Sequence, residues 1–353
     1  MSLQTYLAAV PKAELHVHLE GSIRPETLLT LARRNRIELP VSSVEEVREW
    51  FVFRDFPHFI EVYGAISTCL KTEEDFELIT YEFGAEMARQ NTRYAEVTFS
   101  PAFHHHRGIS DNAYLDGLAR GRKRAQNDFG VEIAWVFDII RNVSDTAMNR
   151  LYSDYTTSIA IENMTNGVVA LGLGGSEVGS PPERFETYFN RARAAGLHSD
   201  PHAGEVAGPE SVWGAIRALG AERIGHGVRS IEDPSLVKYL AEHHIPLEVN
   251  PTSNICLGVY PSLEEHPFRR LHEQGVIVTI NSDDPPLFNT TLNDEVALLD
   301  SAFNFDIDTI DGILLNAVRH SFLPTERRAA LEAGFRQEMD RLKETHLDNS
   351  CNW

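Results

Sequence analysis

Cysteine is scarce in this chain. Its 353 residues hold three, Cys69, Cys256 and Cys351. They show no Cys-x-x-Cys and no pairing pattern, which argues against a disulfide scaffold and for a reducing compartment. Long apolar runs are missing too, and nothing approaches the roughly 18 uninterrupted apolar residues of a membrane span. No long apolar run follows basic residues near the start, so no signal peptide is expected and a cytoplasmic location is. The sequons at Asn142, Asn163 and Asn289 are then chance matches. Positive charge is in deficit: 32 Lys and Arg face 52 Asp and Glu, a net charge of -20. That excess sets the chain against a nucleic-acid backbone as partner. The acids are spread along the chain rather than gathered in a tail, so they read as solubility. No Gly-, Pro- or Ser-rich linker divides the sequence, so residues 1–353 are expected to form a single domain. A hydrophobic fraction of 42% can furnish its core.

What the chain does have is alternation. Short apolar runs read as strands at 13–18, 94–99, 132–138, 168–173, 196–202, 222–224, 246–249 and 276–280. Helical patterns such as 209–219 and 234–243 lie between most of them. Eight strands alternating with helices predict a parallel (β/α)8 TIM barrel, with a doubly wound open sheet as the competing topology. Polar residues at strand C-terminal ends, from the first run to the last, favour the barrel. Only a closed barrel brings first and last strands to one mouth. The interval 22–93 is long for one connection. It is expected to hold extra helices between strands 1 and 2, one of them near 56–70 covering the mouth. The tail after Leu323 reads as a helix and then a fraying end.

The polar residues fall in a chemical pattern. In Leu15-His16-Val17-His18-Leu19-Glu20-Gly21 the two histidines lie two apart on a strand, so both imidazoles face one way. That is half of a metal site, although two core histidines bonded to backbone are the plain alternative. His202 ends the fifth strand, and Asp283 follows the eighth. His16, His18, His202 and Asp283 are therefore the expected ligands of one zinc per chain, with a position left open for water. Glu205 follows His202 by three residues, past Ala203 and Gly204, and is expected to act as a general acid. A first-turn helix acid would look the same. His226, in Ile224-Gly225-His226-Gly227, could ligate the metal or orient and deprotonate its water. Asp284 cannot easily share the metal with Asp283 and is expected to hydrogen-bond a substrate.

Other motifs are weaker. The run Gly172-Leu173-Gly174-Gly175-Ser176-Glu177 lacks the third glycine of a dinucleotide fingerprint, and suggests close backbone approach to a flat ligand or a plain tight turn. His104-His105-His106 looks metallic, but three consecutive residues cannot share one small site, so a solvated loop is expected. Trp50, Phe51, Phe53, Phe56 and Phe59 read as helix packing, with some lining a lid.

Taken in order, Ala13–Gly21, His202-Ala203-Gly204-Glu205, Arg223–Gly227, Pro251-Thr252-Ser253-Asn254 and Asn281-Ser282-Asp283-Asp284-Pro285 resemble the adenosine deaminase family of the amidohydrolase superfamily. The similarity runs from about Pro11 to Phe288. It implies a zinc-containing barrel that removes the 6-amino group of adenosine or a 5′-modified adenosine nucleoside by hydrolysis, giving an inosine-type product and ammonia. It implies that Glu205 protonates the purine N1, that His226 positions the attacking water, that Asp284 bonds N7 and that the Gly175 N–H bonds N3. Chemistry agrees, because an aromatic C6 is a poor electrophile until N1 is protonated. The Pro-Cys-x-x-Cys of cytidine-type deaminases is absent. Two departures fall on the sugar side. Adenosine-specific members usually carry Asp where this chain has Glu20, facing the ribose 5′ side, and Asp-Leu-Ala-Gly-Asp-Glu where it has Gly172–Glu177. Two relatives are therefore alternatives: adenine deaminases, which also carry Glu there, and the 6-amino-6-deoxyfutalosine deaminases of menaquinone biosynthesis, which take a nucleoside extended at C5′. Arg54 or Arg107 could grip a distal carboxylate. A metal hydrolase of amides or esters has no use for the N1 and N7 acids. A barrel kept as a binding module would be favoured by loss of a ligand or of Glu205, and none is lost.

Overall fold

The structure, a computed structural model, describes residues 2–143 and 146–347. The expected fraying end and Cys351 lie outside the described residues. Eight parallel strands pair in sequence order: β1 (Lys12–His18), β2 (Thr92–Phe99), β3 (Glu132–Ile140), β4 (Val168–Gly174), β5 (His198–Ala203), β6 (Ile224–His226), β7 (Leu247–Val249) and β8 (Val278–Ile280). The two ends of the sheet meet through Asp283. It bridges Val17, its N–H donates to the His16 carbonyl at 3.1 Å, and its carbonyl accepts from the His18 N–H at 2.9 Å. The array is thus a (β/α)8 barrel, as the alternation predicts.

Strand boundaries differ from the sequence reading by a few residues, for local reasons. The fifth strand starts at His198 because Gly196, at φ 103°, is the left-handed C-cap of the helix Glu186–Ala195. Pro246 lies just outside β7, since it has no N–H to give a ladder. Val276 is occupied in closing the preceding helix, its N–H donating to the Leu271 carbonyl at 3.1 Å. The helix expected over 234–243 forms as Pro234–His243, with Asp233 capping its start. The one expected over 209–219 begins as α-helix and turns into a π-helical segment over Ala215–Leu219.

Four helices fill the long connection between β1 and β2: Pro25–Asn35, Val44–Trp50, Phe56–Ser67 and Glu73–Arg89. The third begins where Asp55 accepts the His58 N–H at 2.9 Å and Pro57 supplies a preset φ. Its inner face carries Phe59 and Tyr63 over the barrel mouth. Phe59 stacks on Phe288 at 5.4 Å, and Phe53 meets both rings edge-on. These aromatics pack the mouth cover, as expected. The final helix is Thr325–His346. Among the described residues, no helix is long and apolar enough to cross a membrane.

The barrel interior is charged as well as apolar. Arg223, just before β6 and 1% exposed, forms ion pairs with Glu96 of β2 at 2.6 Å, Asp200 of β5 at 2.7 Å and Glu248 of β7 at 2.5 Å. One guanidinium thereby ties three strands. Its fork suits several carboxylates at once.

Candidate active site

The strand C-terminal ends converge on a cleft that opens to solvent. His16 and His18 of β1, His202 of β5, His226 of β6 and Asp283 beyond β8 meet at its floor. His18 Nε2 lies 3.2 Å from His202 Nε2. Asp283 Oδ1 lies 3.5 Å from His16 Nε2 and 3.4 Å from His18 Nε2, while its Oδ2 is 3.8 Å from His226 Nε2. Two overlapping groups of donor atoms, one of His16, His202, His226 and Asp283 and one of His18, Asp283 and Asp284, each span no more than 4.8 Å. Small residues make room for this crowding. A Cβ on Gly225 would come 2.7 Å from the His16 ring, and one on Gly21 would overlap the Asp284 carboxylate. Backbone strain marks the same place: His226 and Asp283 sit at φ 60° and 63°, a region side chains enter at a cost.

Electrostatics fits the set to a divalent cation. Burial pulls His18 down to about 4, and pulls His202 well below the ordinary imidazole value, so both are neutral donors. Asp283 is buried, yet the imidazoles around it hold it ionised, well below the usual carboxylate range. Burial opposes a charge on His16, but Asp283 and Glu248 outweigh it and hold its pKa well above 6.5. Two carboxylates thus call for positive charge at this point. His16 Nε2 is buried without a hydrogen-bond partner, the mark of a donor waiting for an ion. Its Nδ1 meets Glu248 Oε2 at 2.9 Å, the carboxylate support that metal-ligating histidines use.

His226 is placed differently. The Phe268 N–H can only donate, and it donates to His266 Nδ1 at 3.2 Å. The His266 proton is therefore on Nε2, which donates to Asn254 Oδ1 at 3.1 Å. That orients the Asn254 amide to donate to His226 Nδ1 at 3.2 Å, and Asn250 adds a second donor at 3.3 Å. Burial holds His226 neutral, with its pKa down at about 3. Its single proton must then sit on Nε2, facing Glu205 Oε2 at 3.8 Å. A protonated Nε2 is a hydrogen-bond donor to the cleft and a poor metal ligand.

Two carboxyl groups in the cleft are pushed toward the protonated form. Burial, then the nearby Asp283 and Glu177, holds Glu205 well above the usual carboxylate range. Burial and the adjacent Asp283 do the same to Asp284, whose Oδ1 is buried without a hydrogen-bond partner. Neutral carboxylic acids are donors. Gly174 and Gly175 also line the cleft. The space at both is taken: a Cβ on Gly174 would lie 2.4 Å from Asp138 Oδ2, and one on Gly175, at φ 89°, would lie 2.2 Å from Asn142 Oδ1.

Around Glu20 the structure departs from the sequence reading in two ways. His104 is not in a solvated loop. Pro101 starts a short helix, Pro101–His105, directly after β2, and this turns His104 inward, where it is fully buried and stacked on Phe99 at 5.2 Å. His106 stays exposed, stacked on Tyr152 at 4.0 Å. His104 Nε2 meets Glu20 Oε1 at 3.1 Å, the Ser100 N–H donates to the same oxygen at 3.3 Å, and the Tyr63 hydroxyl donates to Oε2 at 3.3 Å. Glu20 is therefore held against the wall by both oxygens. Beyond it the cleft is apolar, lined by Phe56, Phe59, Ile60, Phe103 and Val143. Arg54 is exposed and does not line the cleft. Arg107 lies at the outer rim, its guanidinium 5.2 Å from the Phe103 ring and donating to the Thr68 carbonyl at 3.3 Å. The second departure is Asp138 at the end of β3, a cleft carboxyl that burial pushes up to about 7. It accepts from the Ser100 hydroxyl at 2.6 Å. Asp138 and Glu248 were missed in the sequence. Their signal was an acid inside an otherwise apolar barrel strand.

A buried His/Asp cluster at the mouth of a (β/α)8 barrel, flanked by two further buried carboxyls, defines a metal-dependent hydrolase. The model of the adenosine deaminase family matches residues 11–337. The chain is 44% identical over 333 residues to an aminodeoxyfutalosine deaminase of Streptomyces avermitilis, covering 94% of this chain and 92% of that one. A crystal structure of an adenine deaminase from Arthrobacter aurescens superposes with TM-score 0.87 at 33% identity, covering 94% of this chain and all of that one. A Zn-bound amidohydrolase from Burkholderia ambifaria superposes with TM-score 0.87 at 28% identity, covering 98% and 95%. The chain belongs to the adenosine deaminase family and is a metal-dependent aminohydrolase.

Proposed function

We propose that this chain hydrolyses the 6-amino group of a purine nucleoside extended at C5′, giving a 6-oxopurine and ammonia. The observation that carries the reaction is the pair of buried carboxyls, Glu205 and Asp284, lining the same cleft as the His/Asp cluster; burial pushes both toward the neutral form. N1 and N7 of a 6-aminopurine are both acceptors, so two neutral carboxyls are the matching donors. Zinc held by His16, His18, His202 and Asp283, one per chain, would supply a water acidified toward about pH 7. The His226 Nε2–H is placed to hydrogen-bond the oxygen of the attacking water and, already protonated, would not take its proton. Glu205 gives its proton to N1 as oxygen bonds to C6, Asp284 holds N7, and the Gly175 N–H meets N3. One proton of the attacking water returns to the Glu205 carboxylate and the other passes to the amino group, so the C6–N bond breaks, ammonia leaves and a C6 carbonyl remains. We take residues 1–353 to act as one domain in the cytoplasm, on a small molecule, with no nucleic-acid or membrane partner.

For the substrate, the balance moves from adenosine, the first expectation, to its alternative. The Streptomyces relative at 44% identity is named for aminodeoxyfutalosine. Glu20 is tied back by Ser100, His104 and Tyr63, which leaves the 5′ side open. The apolar outer cleft gives a bare adenine nothing to contact. The reaction is tested by ammonia release from metal-loaded protein. Chelation should abolish it and zinc should restore it. Glu205→Gln should lower turnover about a hundredfold or more with zinc retained. Unchanged turnover in that variant would remove Glu205 from the mechanism.

A further inference from the structure

Glu177 closes the glycine-rich run at the end of β4 and is 5% exposed, yet it does not line the cleft. Its carboxylate gathers four consecutive backbone donors. The Gly204 N–H donates to Oε2 at 2.8 Å. The N–H groups of Glu205, Val206 and Ala207 donate to Oε1 at 2.9, 2.9 and 3.2 Å. The Ser211 hydroxyl donates to Oε2 as a fifth bond. Such a nest normally holds an anion from outside. Here the anion is built into the chain, and the turn it collects carries Glu205. The other side of that turn is also held. Arg141, fully buried just after β3, donates to the His202 carbonyl at 3.1 Å and lies 3.9 Å from Glu177 Oε2.

We propose that Glu177, backed by Arg141, is a positioning residue: it fixes the turn 204–207 so that the Glu205 carboxyl is presented at one place in the cleft. The geometry is specific to an ionised carboxylate. Only a group with two acceptor oxygens and no donor can receive five donors at once. An amide at this position would turn an NH2 onto at least one N–H. A turn that shifts by about 1 Å loses about a hundredfold in a proton transfer that needs alignment. Nothing here depends on substrate identity, but the inference rests on Glu205 as the proton donor.

The experiment is a double-mutant cycle on the zinc-loaded enzyme with its preferred nucleoside. Glu177→Gln should lower kcat by about 30-fold or more, leave KM within about twofold and leave zinc content at the wild-type level. In a Glu205→Gln background it should cost nothing further, because the group it positions is already gone. An unchanged kcat, or a full additional loss on top of Glu205→Gln, would overturn the proposal. If Glu177→Gln does not fold, Ser211→Ala decides by the same criteria. It removes one of five donors, so kcat should fall about threefold, again only when Glu205 is present. Glu205→Gln alone separates the two ideas. If it leaves turnover intact, the reading of Glu205 fails; if it abolishes turnover while Glu177→Gln does not, only the positioning role fails.

Discussion

Glu248→Gln separates metal binding from folding. The Glu248 carboxylate meets His16 Nδ1 at 2.9 Å and Arg223 Nε at 2.5 Å, and is 1% exposed. An amide can still accept from Nδ1–H, but it carries no charge, so the imidazole becomes a weaker donor to a metal. Loss of such a carboxylate costs about 10- to 100-fold in metal affinity, which is about 1.4 to 2.7 kcal/mol. The Arg223 side behaves differently. Breaking a buried ion pair costs about 3–5 kcal/mol when it strands a charge. Here Glu96 and Asp200 remain at 2.6 and 2.7 Å, so the guanidinium is not stranded. Metal affinity should therefore fall while the chelated protein unfolds close to the wild-type temperature. Chelator competition gives the first quantity, and thermal unfolding of the chelated protein gives the second. Unchanged affinity would refute the support of His16. A large drop in the unfolding temperature would show that Arg223 cannot do without its third partner.

Asp138→Asn should show a pH-dependent gain in stability. Burial raises the folded pKa from 3.8 to about 7, so the native state prefers the protonated form. That contribution is full below the unfolded value and lost as pH rises through about 7. Asparagine does not titrate. The variant's unfolding temperature, relative to wild type and with both chelated, should rise between pH 5 and pH 8; a constant difference would contradict the burial argument. Asn254→Asp replaces a donor to His226 Nδ1 with an acceptor, which draws the imidazole proton onto Nδ1 and makes the ring easier to charge. Turnover should fall about tenfold or more and gain a new acidic limb. An unaltered pH–rate profile would mean that the bonds from Phe268 through His266 do not set the tautomer.

Much of the barrel was legible because its signals are local. An apolar run bounded by a glycine or proline fixes a strand to within a few residues, as at Gly196 and Pro246. His18, His202, Glu205, His226, Asp283 and Asp284 were legible because each ends or follows a strand, or lies one residue from its end, and His16 because it shares a face of β1 with His18; barrel closure brings strand ends together. The supporting residues were not legible, because their partners are distant in sequence. Glu248 finds His16 from 232 residues away, and Glu177 finds a turn 27 to 30 residues on. His104 was misread because three adjacent histidines suggest solvent. The proline at 101 was the missed signal, since it starts the helix that turns one of the three inward.

The central claim is hydrolytic deamination of a 6-aminopurine nucleoside in a cleft open at its 5′ side. The direct measurement is kcat/KM for 6-amino-6-deoxyfutalosine, adenosine, 5′-deoxyadenosine, methylthioadenosine and adenine, followed as ammonia release on one zinc-loaded preparation. The extended nucleoside should exceed adenosine by about tenfold or more, and 5′-deoxyadenosine should match adenosine, because Glu20 is bound to the wall and makes no bond to a 5′-hydroxyl. If loss of the 5′-hydroxyl collapses kcat/KM and the extended nucleoside is inert, the open cleft is wrong and the substrate is adenosine itself.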